Sequence, residues 1–291
     1  MTELVALSLL ATYSTMAVYT LSFVLFTVDL ALRSDSDAGV TPTRWLRSAM
    51  ALLIVGWALH GFATVTRGIA AGRVPWANMF EFGLTATFVL VGVFLGLQIW
   101  RDVRFVGSFV SGFALLALGI VTVNFYVDVV PLPPALQSYW LVIHVCVAVL
   151  GTGFFASAAA ISLAQIFQEF REQGIVTGRN WAFLRAFPGA TVLESLAYRI
   201  NVIGFVFWTF TLVAGAIWAE KAWGRYWGWD TKEVWTFIIW ILFAAYIHSR
   251  ATRGWRGRSA AILSLVAFSA VIFNYSIVNM FFKGLHVYSG L

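Results

Sequence analysis

Trp223-Gly224-Arg225-Tyr226-Trp227-Gly228-Trp229-Asp230 lies between two long apolar segments of the chain. Three tryptophans, two glycines and one acid in eight residues make an aromatic platform rather than an ordinary loop. Continued as a helix, the stretch would carry Trp223, Trp227 and Asp230 on one face, with Gly224 and Gly228 opening a smooth strip beside them. Such a surface suits a large, flat, apolar ligand. Tryptophan and tyrosine also collect at any membrane interface, so aromatic density alone leaves a belt and a binding platform both open.

The segments on either side settle the fold class. With 60% hydrophobic and 11% charged residues and a mean hydropathy of +0.84, a chain of this length is a polytopic all-α membrane protein rather than a soluble globular domain. At about 20 residues per span, eight transmembrane helices are expected near 5–32, 49–66, 79–100, 105–127, 139–168, 200–219, 234–250 and 259–281. The first run is too long for a signal-peptide core and follows Glu3 instead of a basic stretch, so it reads as a retained helix.

The basic residues punctuate these runs unevenly. Of nineteen Lys and Arg, thirteen follow the first, third, fifth and seventh helices, from Arg33, Arg44 and Arg47 through to Arg250, Arg253, Arg256 and Arg258. Positive charge is retained on the cytoplasmic side, so both termini and the Trp-rich stretch are expected to be extracytoplasmic. The net charge of +6 is explained by topology, and no nucleic-acid partner is expected. Residues 169–199 are the longest polar interval. They read as a cytoplasmic amphipathic connection of two short pieces, Trp181–Phe187 and Leu193–Arg199, broken at Pro188-Gly189. Pro131, Pro133 and Pro134 read as a stiff outer turn. One cysteine, Cys146, excludes an internal disulfide or a Cys-x-x-Cys pair, so any thiol chemistry is supplied by another protein. Cys146 itself reads as a small buried hydrophobe. No phosphate-binding glycine loop occurs in the sequence.

Four histidines stand out in so apolar a chain, because ionisable residues within a membrane are functional candidates. His144 near the start of the fifth helix and His286 in the tail fall at the level of the platform, where two neutral imidazoles beside packed indoles suit the axial positions of a haem iron. His248 lies near the inner end of the seventh helix, either as a ligand or beside the inner basic cluster. His60, in the outer half of the second helix, reads as a core histidine paired with a neighbouring helix. Asp230-Thr231-Lys232-Glu233 has capping-box spacing, which assigns Asp230 to starting the seventh helix. No acid–base pair is apparent, so no catalytic residue is assigned. Lys221, Arg225 and Lys232 flank the platform and are equal candidates for pairing with the propionates of a haem. Glu81, in Pro75-Trp-Ala-Asn-Met-Phe-Glu81, reads as a helix-start charge.

The run from Leu193 through Gly215-Ala-Ile-Trp-Ala-Glu-Lys-Ala-Trp-Gly-Arg-Tyr-Trp-Gly-Trp-Asp-Thr-Lys-Glu-Val-Trp235 to Tyr246-Ile-His-Ser-Arg250 resembles the CcsA/ResC type of cytochrome c biogenesis protein, haem-handling proteins with a "WWD" segment. His144, Asn78-Met-Phe-Glu81 and Gly284-Leu-His286 follow in the order the resemblance requires. Thr231 is a small departure where proline often follows the acid. The resemblance implies a multi-pass plasma-membrane protein that binds haem b, with its platform at residues 218–234 on the extracytoplasmic side. It implies His144 and His286 as outer iron ligands and His248 as the intramembrane one. Trp223, Trp227, Trp229, Gly224, Gly228 and Asp230 would form the haem platform. It further implies a CcsB/ResB-type partner, apocytochrome c as acceptor, and thiol-reducing thioredoxin-like proteins acting indirectly. The implied function is that of a cytochrome c synthase subunit. The rival is a transporter or chaperone that delivers haem to a separate ligase. A quinone-linked membrane anchor fits less well, because the two best-placed histidines lie at the outer face.

Overall fold

The computed structural model describes residues 2–34, 43–129, 137–252, 254–282 and 284–285. Among them are eight helices long and apolar enough to cross a membrane. They are α1 Thr2–Ser34, α2 Arg44–Ala71, α3 Met79–Leu97, α4 Gly107–Asn124, α5 Tyr139–Glu172, α6 Ala190–Trp223, α7 Thr231–Thr252 and α8 Arg258–Phe273. The span that begins as α8 runs on through a π-helical segment, Asn274–Val278, and a last turn, Asn279–Phe281. Pro131, Pro133, Pro134, Arg253, Lys283 and His286 lie outside the described residues.

The bundle is held by two hairpins. α5 packs along α6, and α1 along α2. The α5–α6 approach is close because small residues face each other: a Cβ on Gly151 would stand 3.3 Å from the Gly204 carbonyl oxygen, and one on Gly204 would stand 2.7 Å from the Phe155 ring. In lipid this contact, rather than release of water, draws helices together. Polar stitches join the elements where no water is available. Ser8 and Ser22 donate from α1 to the Ala63 and Ala49 carbonyls of α2, at 2.8 and 2.9 Å. The Trp57 indole N–H donates to the Phe88 carbonyl at 3.0 Å, tying α2 to α3. Asn201 of α6 and Ser162 of α5 both donate to Ser264 of α8.

The ends of the bundle differ chemically. The ends of α2, α4, α6 and α8 gather with the starts of α3, α5 and α7 around the Trp-rich stretch, the platform end. At the opposite end Glu194 accepts from Arg250 Nε at 3.1 Å and from the Gly257 N–H at 3.0 Å, closing the α7–α8 connection onto α6.

Two expectations change here. Leu193–Arg199 is not a separate surface piece. It forms part of the first turns of α6, with Leu193, Glu194 and Ala197 buried, because Gly189 starts the helix directly after the proline break. Of the two pieces only Arg179–Ala186 is a short separate element, a 3-10 segment docked through Leu184, with Trp181 tilted against Phe167. Cys146 is exposed rather than buried. It sits one residue past Val145, which is buried, so the same helix turns the thiol outward from the bundle.

Candidate functional site

The Trp-rich stretch is not helical beyond Trp223. Gly224 adopts φ 70° and caps α6, its N–H donating to the Glu220 carbonyl at 2.8 Å. A side chain there would be strained, which gives Gly224 a backbone role. Trp223, Trp227 and Asp230 therefore share no helical face. Residues 224–230 instead form a connection organised by one carboxylate, that of Glu233.

Glu233 Oε2 accepts from the N–H groups of Gly228 (2.8 Å) and Asp230 (3.1 Å), and Oε1 pairs with Arg225 Nη1 at 3.2 Å. The Arg225 guanidinium lies across Gly228, where a Cβ would fall only 1.5 Å from it, and faces the Trp223 ring at 5.8 Å. Gly228 thus makes room for Arg225. Between the two N–H groups held by Glu233 stands Trp229, at φ 59° the one non-glycine residue with positive φ among the described residues. For so bulky a residue this is a costly conformation. Its consequence is an indole left 76% exposed.

The capping box expected from spacing is present. Asp230 Oδ1 accepts from the Lys232 N–H at 3.0 Å while Glu233 reaches back to the Asp230 N–H. Asp230 has a second task that the sequence did not show. Its Oδ2 accepts from the Leu285 N–H at 2.8 Å, fastening the segment that leads into His286.

His144 stands in the second turn of α5, clasped by α6. Nδ1 lies 3.0 Å from the Thr211 carbonyl oxygen, which can only accept, so Nδ1 carries the proton and the lone pair is on Nε2. The ring is stacked near-parallel on Trp218, with centroids 5.8 Å apart and planes at 16°. A Cβ on Gly215 would come within 2.8 Å of its Cε1. Trp218 in turn meets Trp223 edge to face at 4.8 Å, and Trp227 meets Trp229 and Phe237 in the same way.

His144, Thr211, Gly215, Trp218 and Trp227 border a cavity of about 560 Å³ between α3, α4, α5, α6, α7 and α8. Its walls are mostly apolar, with His144, Trp208, Trp218 and Trp227 among them and a polar end made by Asn78, Lys232, Asn274 and Asn279. The volume falls in the range of about 300–1,000 Å³ usual for small-molecule sites. Trp223, Trp229, Gly224, Gly228 and Asp230 frame the connection above and are not part of the lining.

The remaining candidates separate cleanly. His248 is exposed on α7 at the opposite end, about 27 Å of helix from Asp230. His60 is fully buried, with the Tyr19 hydroxyl 3.2 Å from Nδ1 and the Tyr19 and Phe88 rings meeting it edge on; this is the core pairing expected of it. Glu81 is more than a helix-start charge: it is fully buried between Arg67 (3.0 Å) and Arg73 (2.6 Å). No cluster of three or more His, Cys, Asp or Glu suited to a metal occurs among the described residues. Sequence reading overlooked Thr211, which sits with Gly215 and Trp218 at i, i+4 and i+7, a one-face helical pattern that was visible in principle.

Residues 76–286 match a family model described as "Cytochrome C assembly protein". The chain belongs to this family. Members of the cytochrome c assembly family similar to it include the cytochrome c biogenesis protein CcsA of Trieres chinensis, 33% identical over 265 residues, covering 82% of this chain and 85% of that one. The CcsA of Synechocystis sp. is 32% identical over 273 residues, covering 76% and 82%. Among solved structures, the "Cytochrome c Heme Lyase CcmF" superposes with a TM-score of 0.69 over 94% of this chain at 18% identity, a likeness of fold alone. The present chain spans 46% of that longer chain. Every residue of the cavity and of the Glu233-centred connection lies within the family match, whereas α1 and α2 precede it.

Proposed function

We propose that this protein is the haem-binding membrane subunit of a cytochrome c synthase, which brings haem b to the platform end and presents it to apocytochrome c. The observation that carries this reading is the 3.0 Å contact of His144 Nδ1 with the Thr211 carbonyl oxygen, from which the tautomer follows. A proton fixed on Nδ1 by a main-chain carbonyl orients the ring and leaves the basic lone pair on Nε2, the arrangement found for metal-bound imidazoles. That imidazole lies on an indole beside a cavity of ligand size, so the residues present fit an axial ligand of a haem.

His286 supplies the second outer ligand, carried by the segment that Asp230 fastens. The platform end faces away from the cytoplasm across the plasma membrane, because the opposite end holds most of the Lys and Arg. Trp227 borders the haem site, and Trp223 and Trp229, with Gly224, Gly228 and Asp230, frame it towards the acceptor. His248, exposed on α7, is the intramembrane ligand and meets a CcsB/ResB-type partner there. When haem is held with its vinyl groups towards the Cys-x-x-Cys-His segment of the acceptor, each thiol S–H adds across a vinyl C=C to form one thioether. The chain's contribution is positioning. Thioredoxin-like proteins keep the acceptor thiols reduced.

The test is the optical spectrum of the detergent-purified protein with its partner. His144→Ala and His286→Ala are each expected to lose the six-coordinate haem signal of the outer site. A wild-type spectrum in both variants would overturn the assignment. Co-expression with the partner and an apocytochrome then separates synthase from chaperone: covalently bound haem is expected, and haem that remains fully extractable argues for delivery alone.

A further inference from the structure

Three cations flank the platform, and the structure separates them. Lys221 is exposed and paired with Glu220 at 2.9 Å. Arg225 is committed to Glu233 and lies across Gly228. Lys232 differs from both. It is the second residue of α7, it lines the cavity, and its ammonium is met by two neutral oxygens, the Asn274 carbonyl at 3.3 Å and the Asn279 side-chain oxygen. No carboxylate forms a salt bridge with it among the described residues. The nearby Asp230 carboxylate is engaged with the backbone at Lys232 and Leu285.

The walls around this ammonium hold further polar atoms without a partner among the described residues. Asn78 is 5% exposed and lines the cavity; its Oδ1 caps α3 by accepting from Glu81 N–H, whereas its Nδ2 has no partner. Asn274, 7% exposed and also in the lining, has an unpartnered Oδ1. Asn279 joins these groups, donating to Met79 Sδ at 3.2 Å beside Asn78 while accepting from Lys232. Asn274 opens the π-helical segment, a distortion that recurs at functional sites. Buried polar atoms are almost always satisfied, so an ammonium and two open amides on one cavity wall mark the place of an absent polar group. Two of the three are donors, and one is charged. The group these two donors fit is a carboxylate, while the Asn274 oxygen is left to a donor such as water.

We propose that Lys232, with the amide N–H of Asn78, is the receptor for the carboxylates of the cavity's ligand. On the haem reading given above, on which this rests, these are the propionates. Holding that edge of the macrocycle at Lys232 turns its opposite, vinyl-bearing edge away from the polar end. Lys232 is therefore a binding and positioning residue that fixes which edge of the ring the acceptor meets.

The experiment compares iron protoporphyrin IX with its dimethyl ester, titrated into the full chain after removal of bound haem. Wild-type protein is expected to prefer the diacid by about tenfold or more. Lys232→Met is expected to lose about that factor for the diacid while leaving ester affinity unchanged, which also reports that the variant is folded. Lys232→Arg is expected to retain the preference. Equal affinity of wild-type protein for diacid and ester, or equal weakening of both by Lys232→Met, overturns the carboxylate receptor while the haem reading stands. Failure of the wild-type protein to bind either porphyrin overturns the haem reading and the receptor with it.

Discussion

Asp230 joins the start of α7 to the chain that leads into His286. One carboxylate oxygen accepts from the Lys232 N–H at 3.0 Å and the other from the Leu285 N–H at 2.8 Å. Gly284 packs so close that a Cβ there would lie 2.3 Å from Oδ2. A helix cap and a clasp are thus combined in one side chain.

The two tasks can be separated. Asp230→Ala removes the cap and is expected to cost about 1 kcal/mol of stability. It also frees Leu285, so the haem spectrum should move towards that of His286→Ala. Asp230→Asn retains a capping oxygen, because asparagine caps helices as well as aspartate does. Near-wild-type stability with a shifted spectrum in Asp230→Asn is the expected signature of the clasp. Unshifted spectra in both variants would show that the clasp does not position His286.

Trp229 occupies the left-handed region because Glu233 holds the N–H groups on both sides of it. Glycine adopts that conformation without strain, so Trp229→Gly is expected to stabilise the protein by about 1 kcal/mol. The same change deletes the exposed indole, and the yield of covalently attached haem should fall. Trp229→Phe keeps an aromatic ring and most of the yield. A lower thermal midpoint for Trp229→Gly than for wild-type protein would remove the case for strain.

How far these features were legible differs by residue. The spans were readable because apolar runs of membrane length ended in arginines, and the box at Asp230 because capping follows a fixed local spacing. The cap at Gly224 was missed because a continued helix and a left-handed stop both place glycine there. Thr211, Gly215 and Trp218 could be seen to share a face, yet their meeting with His144 depends on the register between α5 and α6, which is set by packing across the pair. Cys146 was misjudged for the same reason: in a bundle surrounded by lipid, an apolar thiol meets no hydrophobic penalty on the outer face, so composition does not say which way it points.

The α5–α6 register makes a prediction with opposite outcomes at neighbouring positions. His144 is held by the main-chain oxygen of Thr211, so Thr211→Ala should leave its tautomer and the haem spectrum unchanged. Gly215→Val places a branched side chain where a single Cβ already comes within 2.8 Å of the imidazole. The ring must leave the Trp218 face, and outer-site haem should be lost with a spectrum like that of His144→Ala. If Thr211→Ala abolishes the signal instead, the hydroxyl rather than the carbonyl orients the imidazole.

Glu81 makes the last test, one of stability alone. It is fully buried between Arg67 and Arg73, accepts from the Ala77 N–H, and Arg67 also donates to the Val127 carbonyl at 2.7 Å. The cluster ties the ends of α2 and α4 to the start of α3, directly beside Asn78 and the polar end of the cavity. Two guanidiniums and one carboxylate leave one positive charge in excess, so removing the acid strands two buried cations. Breaking a buried pair from one side costs about 3–5 kcal/mol. Glu81→Ala is therefore expected to lower the thermal midpoint sharply in detergent and to reduce accumulation in the membrane. Adding Arg67→Met should recover part of the loss, because one of the two stranded charges is then removed and a flexible apolar side chain fills its place. If the double variant is no more stable than Glu81→Ala, the cost lies in the lost helix connections rather than in the stranded charge.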